Sequence, residues 1–205
     1  MIDLYAAGTS NGIRARIALE ECGLSYNLHP IALEKGEQKT PQFLAMNPMG
    51  QIPVMIDQDG PGGKPVTLSQ SSAILLYCAE KSGKLLPKNP ASRPAFLEAL
   101  MRASTDMTPT LGAIFNSSKI KPEAHTPTVS WFKELWKGYL KVWDELFAKR
   151  RYAAGEEFTV ADLSLYAGYV RMKKAIPELV AGYPNVERWA KELDARPAIQ
   201  RALKF

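Results

Sequence analysis

The stretch that decides the fold is Gly50-Gln-Ile-Pro-Val-Met-Ile-Asp57, an apolar strand signal that carries a proline near its start. Proline cannot donate a hydrogen bond to a neighbouring strand, so in sheets it occurs at strand starts, edges and bulges. Pro53 therefore indicates that the chain enters a strand here through a bend. An ordinary trans proline at the start of an edge strand would explain the pattern as well.

Strand and helix signals alternate on both sides of this stretch. The predicted strands are residues 2–5, 26–31, 54–57 and 66–68, and the predicted helices are residues 12–22, 41–46 and 71–82. The first two strands and the helix between them form a βαβ unit. The turn-rich sequence QDGPGGKP separates the last two strands and is typical of a hairpin. The order predicts a βαβ unit followed by a ββα unit.

The second half of the chain has a different pattern. Pro87, Pro90 and Pro94 interrupt the chain, and helix signals without a convincing strand follow them. We therefore predict an α/β domain at residues 1–82, a linker at residues 83–92 and an all-helical domain at residues 93–205. In SWFKELWKGYLKVWDELFAKRRY, apolar side chains recur every three or four positions, which favours helix core packing over a nucleic-acid or membrane surface.

The stretch Phe158-Thr-Val-Ala-Asp-Leu-Ser-Leu165 also predicts a helix start. Thr159 can cap this helix, while Asp162 can reach back to the Thr159 backbone as in a capping box. We interpret this pair as structural, because removing such a cap typically costs about 1 kcal/mol of stability.

Charge and cysteine usage exclude several classes of function. The formal net charge is +5, but the densest basic run, Lys149-Arg150-Arg151, falls at a predicted helix end, where cations complement the dipole, so we expect no nucleic-acid partner. Cys22 and Cys78 have no metal-like spacing, which predicts reduced core thiols and no metal. No basic leader precedes a long apolar run, and no segment approaches the roughly 18 apolar residues of a membrane helix. We expect a cytoplasmic protein without a membrane partner.

Four landmarks follow one another at suitable separations: TSNGIRARIALEE, NPMGQIPVMID, LSQSSAILLYCAEK and FTVADLSLYAG. With a thioredoxin-like α/β half followed by a helical-bundle half, the chain resembles the cytosolic glutathione transferases over nearly its whole length. The stretch EKGEQKTPQFLAMNPMGQIP, with Thr9 and Asn11, is most similar to the bacterial branch that includes the Nu-class disulfide reductases. The resemblance implies glutathione as co-substrate and a homodimer.

The same resemblance places the cysteinyl and glycine parts of the tripeptide. In this family the bond before the strand proline is cis, which implies a cis Ile52–Pro53 bond. The N–H and C=O of Ile52 are then expected to face solvent and pair with the cysteinyl backbone of glutathione. Lys35 and Gln38 are placed near the glycine carboxylate, as a point charge and a directional donor, with Lys39 as a weaker candidate.

The γ-glutamyl end is assigned to a predicted helix start. Gln70 and Ser71 match the family positions that hold the γ-glutamyl carboxylate, and exposed N–H groups at a helix start suit an anion. Gln51 is an additional γ-glutamyl contact. Ordinary N-capping by Ser69 or Ser71 would explain the same helix start without a ligand.

Sulfur activation is assigned to the turn before the first long helix. Free glutathione is mostly protonated near neutral pH, so the site must favour the thiolate. Thr9, Ser10 and Asn11 lie where donors and the positive helix end would converge on sulfur. The resemblance favours Thr9 and Asn11, with Ser10 either a competitor or purely structural. Other relatives use a tyrosine as the sulfur donor, and Tyr5 is the alternative for that role here. Further relatives have a cysteine at the position of Ser10. A serine there excludes the mixed disulfide that such a cysteine forms with glutathione.

The resemblance thus implies a glutathione transferase that binds glutathione or glutathione disulfide. The second substrate is either a small electrophile, for conjugation, or a disulfide, for glutathione-dependent reduction, and both remain open. A non-catalytic transferase-like scaffold that binds proteins is the alternative. The presence of Gln38, Gln70 and Ser71, which a scaffold does not need, argues against it.

Overall fold

The computed structural model describes the backbone of residues 1–117 and 122–205, and the side chains of residues 1–117 and 126–205. These residues form two compact units, one of Met1–Leu86 with Ala195–Phe205 and the other of Pro87–Asp194. The domain and linker bounds derived from the sequence stay a prediction.

The first unit is built on a four-stranded sheet with the order β2-β1-β3-β4. The strands are β1 Ile2–Ala6, β2 Tyr26–Pro30, β3 Val54–Asp57 and β4 Val66–Leu68. β1 and β2 are parallel, whereas β3 is antiparallel to both β1 and β4. The predicted βαβ and ββα order is therefore confirmed, and the two strands predicted at residues 54–57 and 66–68 have the predicted bounds.

The α-helices are α1 Ser10–Cys22, α2 Pro41–Met46, α3 Ser71–Ser82, α4 Arg93–Met101, α5 Thr108–Ser117, α6 Pro122–Phe147, α7 Val160–Ala175, α8 Pro184–Asp194 and α9 Pro197–Ala202. In the first unit α1 packs against α3 and α9. Gly23 ends α1 in the left-handed conformation, at φ 70°, which favours glycine. Arg196 and Arg201 hold the α9 segment to Glu21 and Glu20 of α1 by ion pairs.

The second unit is helical, as predicted. A π-helix at Arg102–Met107, which the sequence did not predict, joins α4 to α5. Trp136, Trp143 and Phe147 of α6 are buried, and the ring of Phe147 stacks on Trp189 of α8 with centroids 4.9 Å apart. The core-packing interpretation of the aromatic stretch is therefore confirmed.

The predictions for the capping pair and for the two cysteines are confirmed as well. Thr159 and Asp162 form the capping box at the start of α7. Cys22 and Cys78 are buried free thiols, and burial raises the pKa of both. No helix in the described part of the chain is long and apolar enough to cross a membrane.

Candidate functional site

The sheet brings four chain segments to one of its ends. β1 and β2 are parallel, so the segments that follow them leave the sheet at the same end. β3 is antiparallel to β1, with Tyr5 opposite Val54, so residues 51–53 enter the sheet at that end. β4 is antiparallel to β3, which brings the residues after Leu68 there too. This end therefore gathers the segments that hold the predicted site residues, which are Thr9, Ser10, Asn11, Lys35, Gln38, Gln51, Ile52, Pro53, Gln70 and Ser71.

The backbone before β3 offers an unpaired peptide group. The Ile52–Pro53 bond is cis, as predicted. Within the residues that the structure describes, neither the N–H nor the C=O of Ile52 forms a hydrogen bond with the chain. The Ile52 side chain is buried in a cluster with Phe43 and Val54, which anchors the segment. An extended ligand can pair with a peptide group held in this way.

Asn47, which the sequence analysis did not single out, holds the turn before this strand. Its buried amide Nδ2 donates a hydrogen bond to the carbonyl of Gln51 at 2.7 Å. Gly50 has φ 59°, and a Cβ there would lie 2.7 Å from Lys39 Nζ and 2.9 Å from the carbonyl oxygen of Gln38. Because only glycine fits, the Gln38 segment packs directly against the Gln51 segment.

Gln38 has an unused acceptor in this segment. Its Nε2 donates a long hydrogen bond to the Leu33 carbonyl at 3.5 Å, while its Oε1 is buried without a partner in the described part of the chain. A buried acceptor without a donor costs free energy, so it is available to a ligand N–H group. Lys35 ends the 3₁₀ helix Leu33–Lys35 and is exposed to solvent.

The predicted sulfur loop caps α1. Thr9 is the N-cap, and its Oγ1 accepts the N–H of Gly12 at 3.2 Å, which leaves the hydroxyl proton available to another acceptor. Asn11 is partly exposed, whereas Ser10 is buried, with 7% of its surface exposed. The ring of Tyr5, the alternative sulfur donor, stacks on His29 of β2 with centroids 4.5 Å apart.

The start of α3 lies beside this loop. Ser71 is the first residue of α3, and the N-cap residue Gln70 makes no side-chain capping bond. The alternative that Ser69 or Ser71 is an ordinary N-cap is therefore wrong, and the terminal amides of α3 receive no side-chain cap from Gln70. Such amides, with the positive end of the helix dipole, suit a carboxylate.

A buried arginine joins the two helix starts. Arg14 Nη1 donates to Asn11 Oδ1 at 2.5 Å and to Ser71 Oγ at 2.9 Å. Burial lowers the pKa of the Arg14 guanidinium to about 10, which leaves it protonated at neutral pH. The sequence analysis missed this residue. The available signal was a cation three positions after Asn11, between the buried Ile13 and Ala15 of an apolar helix stretch.

No group of three or more His, Cys, Asp or Glu residues that could hold a metal ion occurs among the described residues. The predicted site residues and Arg14 offer peptide groups, hydroxyls, amides and cations. This set of donors suits a peptide with carboxylates at its ends and a thiolate between them.

Two family models match the chain. The model described as glutathione S-transferase, N-terminal domain, matches residues 10–81, and the one described as glutathione S-transferase, C-terminal domain, matches residues 105–204. The disulfide-bond oxidoreductase YfcG of Escherichia coli is 32% identical over 204 residues, which cover 99% of this chain and 94% of YfcG.

Solved structures agree with these matches. A glutathione transferase family member from Pseudomonas fluorescens, with two glutathione bound, is 32% identical with a TM-score of 0.91, covering 99% of this chain and 92% of that one. A glutathione transferase from Pseudomonas putida, with one glutathione disulfide bound per subunit, is 31% identical with a TM-score of 0.91, covering 100% of this chain and 91% of that one. This chain belongs to the glutathione S-transferase family.

Proposed function

We propose that the protein binds glutathione along this end of the sheet, stabilises its thiolate and uses the thiolate chiefly to reduce disulfides. The observation that carries the proposal is the convergence of three groups: the unpaired Ile52 peptide, Ser71 at the uncapped start of α3, and Asn11 at the start of α1. They match the backbone, the carboxylate and the sulfur of one tripeptide.

The binding roles follow from the chemistry of each group. The Ile52 peptide before Pro53 pairs with the cysteinyl backbone as a short added strand. Ser71, Gln70 and Gln51 bind the γ-glutamyl end, with the amides of α3 facing its carboxylate.

Lys35 and Gln38 bind the glycine end. Lys35 supplies charge to the glycine carboxylate, and the Gln38 amide supplies directional hydrogen bonds. The buried Oε1 of Gln38 supports a contact with the peptide N–H of the glycine, because that N–H group would give Oε1 the partner that the described part of the chain does not.

Sulfur activation requires no general base. The Thr9 hydroxyl and the Asn11 amide donate to the sulfur, and hydrogen bonds of this kind favour the charged form and lower the pKa of the thiol. Ser10 ranks third among the donors, because the resemblance to the Nu-class disulfide reductases favours Thr9 and Asn11. The dipole of α1 acts in the same direction as the donors.

Disulfide reduction then proceeds on glutathione alone. The bound thiolate attacks one sulfur of the disulfide, the S–S bond breaks, and the other sulfur leaves as a thiolate that takes up a proton. A second glutathione thiolate attacks the mixed disulfide, which yields glutathione disulfide and the second free thiol. Ser10 cannot form a covalent sulfur intermediate, and Cys22 and Cys78 are buried. The similarity to the disulfide-bond oxidoreductase YfcG supports this reaction as the main one.

Conjugation of glutathione to a small electrophile is the second candidate. It uses the same thiolate and is supported by membership of the transferase family. The homodimer and the cytoplasmic location stay predictions.

The test compares the two reactions in one preparation. Reduction of 2-hydroxyethyl disulfide is followed by coupling glutathione disulfide formation to glutathione reductase, and conjugation is followed with 1-chloro-2,4-dinitrobenzene. We expect faster turnover of the disulfide. If only the electrophile is turned over, conjugation is the function of the protein instead. If millimolar glutathione and glutathione disulfide both leave the melting temperature unchanged, the non-catalytic scaffold is correct, because a ligand of the folded state must raise it.

A further inference from the structure

Arg14 is a cation in the interior of the first unit. Only 1% of its surface is exposed, so no ligand reaches it directly. Removing a guanidinium from water is unfavourable unless its N–H groups are well satisfied. Two of its acceptors, Asn11 and Ser71, are residues to which the proposed function gives a role.

The contacts of Arg14 dictate how both neighbours are oriented. A guanidinium only donates hydrogen bonds, so the Asn11 atom that faces it at 2.5 Å is the acceptor Oδ1. The Asn11 Nδ2 group is consequently turned away from Arg14, with its two hydrogens available elsewhere. Ser71 Oγ likewise accepts from Arg14 at 2.9 Å, so its own proton must point to a different acceptor.

Without a ligand, the Ser71 hydroxyl has a poor partner within the protein. The nearest acceptor it uses is Asn11 Oδ1 at 3.4 Å, which is a long and weak hydrogen bond. A ligand carboxylate would be a better acceptor, because hydrogen bonds to charged groups are shorter and stronger.

We propose that Arg14 is a positioning residue that aims the Asn11 amide at the sulfur and the Ser71 hydroxyl at the γ-glutamyl carboxylate, and so couples the two ends of the site. This role rests on the proposed function. The two donors lie 60 positions apart in sequence, and one buried nitrogen, Arg14 Nη1, orients both. Its fixed positive charge also favours the two anionic groups that these donors face, the thiolate and the γ-glutamyl carboxylate.

Three variants test the role of Arg14. Arg14→Met keeps the length of the side chain and removes charge and donors. Arg14→Lys keeps the charge without the planar fork. Arg16→Met is the matched control, because Arg16 lies on the same helix and donates to Tyr26 Oη instead of to site residues. Each protein is titrated with pH at saturating glutathione, and the ultraviolet absorbance of the bound thiolate is recorded.

We expect Arg14→Met to raise the pKa of the bound thiol by about one unit. It should also weaken binding of S-methylglutathione, which lacks the thiol, by about tenfold, the equivalent of one charge-assisted hydrogen bond. Arg14→Lys should give intermediate values, and Arg16→Met should change neither. In the Asn11→Ala background, Arg14→Met should raise the thiol pKa by less than it does alone, because part of its effect passes through Asn11.

If Arg14 is purely structural, Arg14→Met will lower the melting temperature but the folded variant will keep the wild-type thiol pKa. That result would overturn the proposal. If Arg14→Met fails to fold, a wild-type thiol pKa in Arg14→Lys has the same meaning, and an elevated one supports the role. A wild-type complex whose thiol titrates like free glutathione would instead overturn the proposed function, and the role of Arg14 with it.

Discussion

Trp189 Nε1 donates a hydrogen bond to Asp162 Oδ1 at 3.0 Å, and both side chains are fully buried in the second unit. The same carboxylate accepts the backbone N–H of Ala153 at 2.7 Å and that of Thr159 at 2.9 Å. One side chain thus satisfies donors from the start of α7, from α8 and from the preceding loop. None of these N–H groups can accept a hydrogen bond, so each depends on Asp162.

Asp162 should make the stability of this protein depend on pH. Burial raises the pKa of its carboxyl to about 6, against the opposing hydrogen bonds from Ala153 and Thr159. The folded state therefore holds the proton more tightly than the unfolded state, whose pKa is near 3.8. The contribution of Asp162 to stability is fully present below about pH 4 and is lost as pH rises through about 6. Over that window the loss is about 3 kcal/mol.

The variant Asp162→Asn isolates the pH-dependent contribution of Asp162 to stability, because an amide does not titrate. Urea unfolding of both proteins from pH 4 to 7.5 should show the stability advantage of the wild type shrinking as pH rises. Glu134→Gln, at an exposed site paired with Lys137, is the control and should show little pH dependence. An advantage that grows with pH would mean that the hydrogen bonds outweigh burial and that the pKa is lowered.

Gly12 should tolerate no side chain. A Cβ at this position would lie 2.0 Å from the carbonyl oxygen of Ala7, so Gly12→Ala must displace the backbone that leads into Thr9. We expect a loss of about 2 kcal/mol or more in the free energy of unfolding, with weaker glutathione turnover, because overpacking costs about 1 to 3 kcal/mol. Denaturant unfolding of Gly12→Ala and the wild type measures this loss in the free energy of unfolding.

Gly138 is the matched control for this prediction. It lies inside α6, and a Cβ there meets nothing within 4 Å. Gly138→Ala should therefore stabilise the protein by about 0.5 to 1 kcal/mol through helix propensity. Equal stability of the two alanine variants would contradict the steric argument.

The fold could be predicted from the sequence because its turns and helix caps are determined by residues close together in sequence. The turn residues between β3 and β4 and the capping pair Thr159 and Asp162 act within a few positions of sequence. Arg14 was missed because its meaning is not local: only the packing of α1 beside α3 reveals that it reaches Ser71, 57 positions away. The π-helix Arg102–Met107 was missed for a different reason, because nothing in its sequence, RASTDM, distinguishes it from an α-helix.

Ser71→Ala should weaken binding of the γ-glutamyl end. It removes the hydroxyl donor and leaves the amides of α3 in place, so we expect a loss of about 1 to 3 kcal/mol, or about 5- to 150-fold in Kd. Calorimetry with S-methylglutathione measures this loss separately from the thiol. The neighbouring Ser69→Ala serves as the control and should stay within about twofold of the wild type. An unchanged Kd in Ser71→Ala would mean that the carboxylate binds elsewhere.

Thr9 and Asn11 should together determine the pKa of the bound thiol. Thr9→Ala and Asn11→Ala each remove a donor that prefers charged sulfur, so each should raise the pKa of bound glutathione. The full loss of one hydrogen bond to an ion, about 1.5 to 3 kcal/mol, corresponds to about one to two pKa units. Because neighbouring donors compensate for each other, single effects should be smaller, and the combined variant should shift the pKa disproportionately. Ser10→Ala should have the smallest effect, because Thr9 and Asn11 are ranked ahead of Ser10 as donors to the sulfur.

Thiolate absorbance against pH, recorded for each complex, decides among the donors. Cys22→Ser and Cys78→Ser should leave the titration unchanged, because both thiols are buried and burial raises their pKa, so neither contributes a thiolate near neutral pH. A wild-type titration in Thr9→Ala, Asn11→Ala and their combination would exclude the start of α1 as the sulfur site. A large shift confined to Tyr5→Phe would assign sulfur activation to the tyrosine, which would then have to leave its stacking contact with His29 to reach the thiolate.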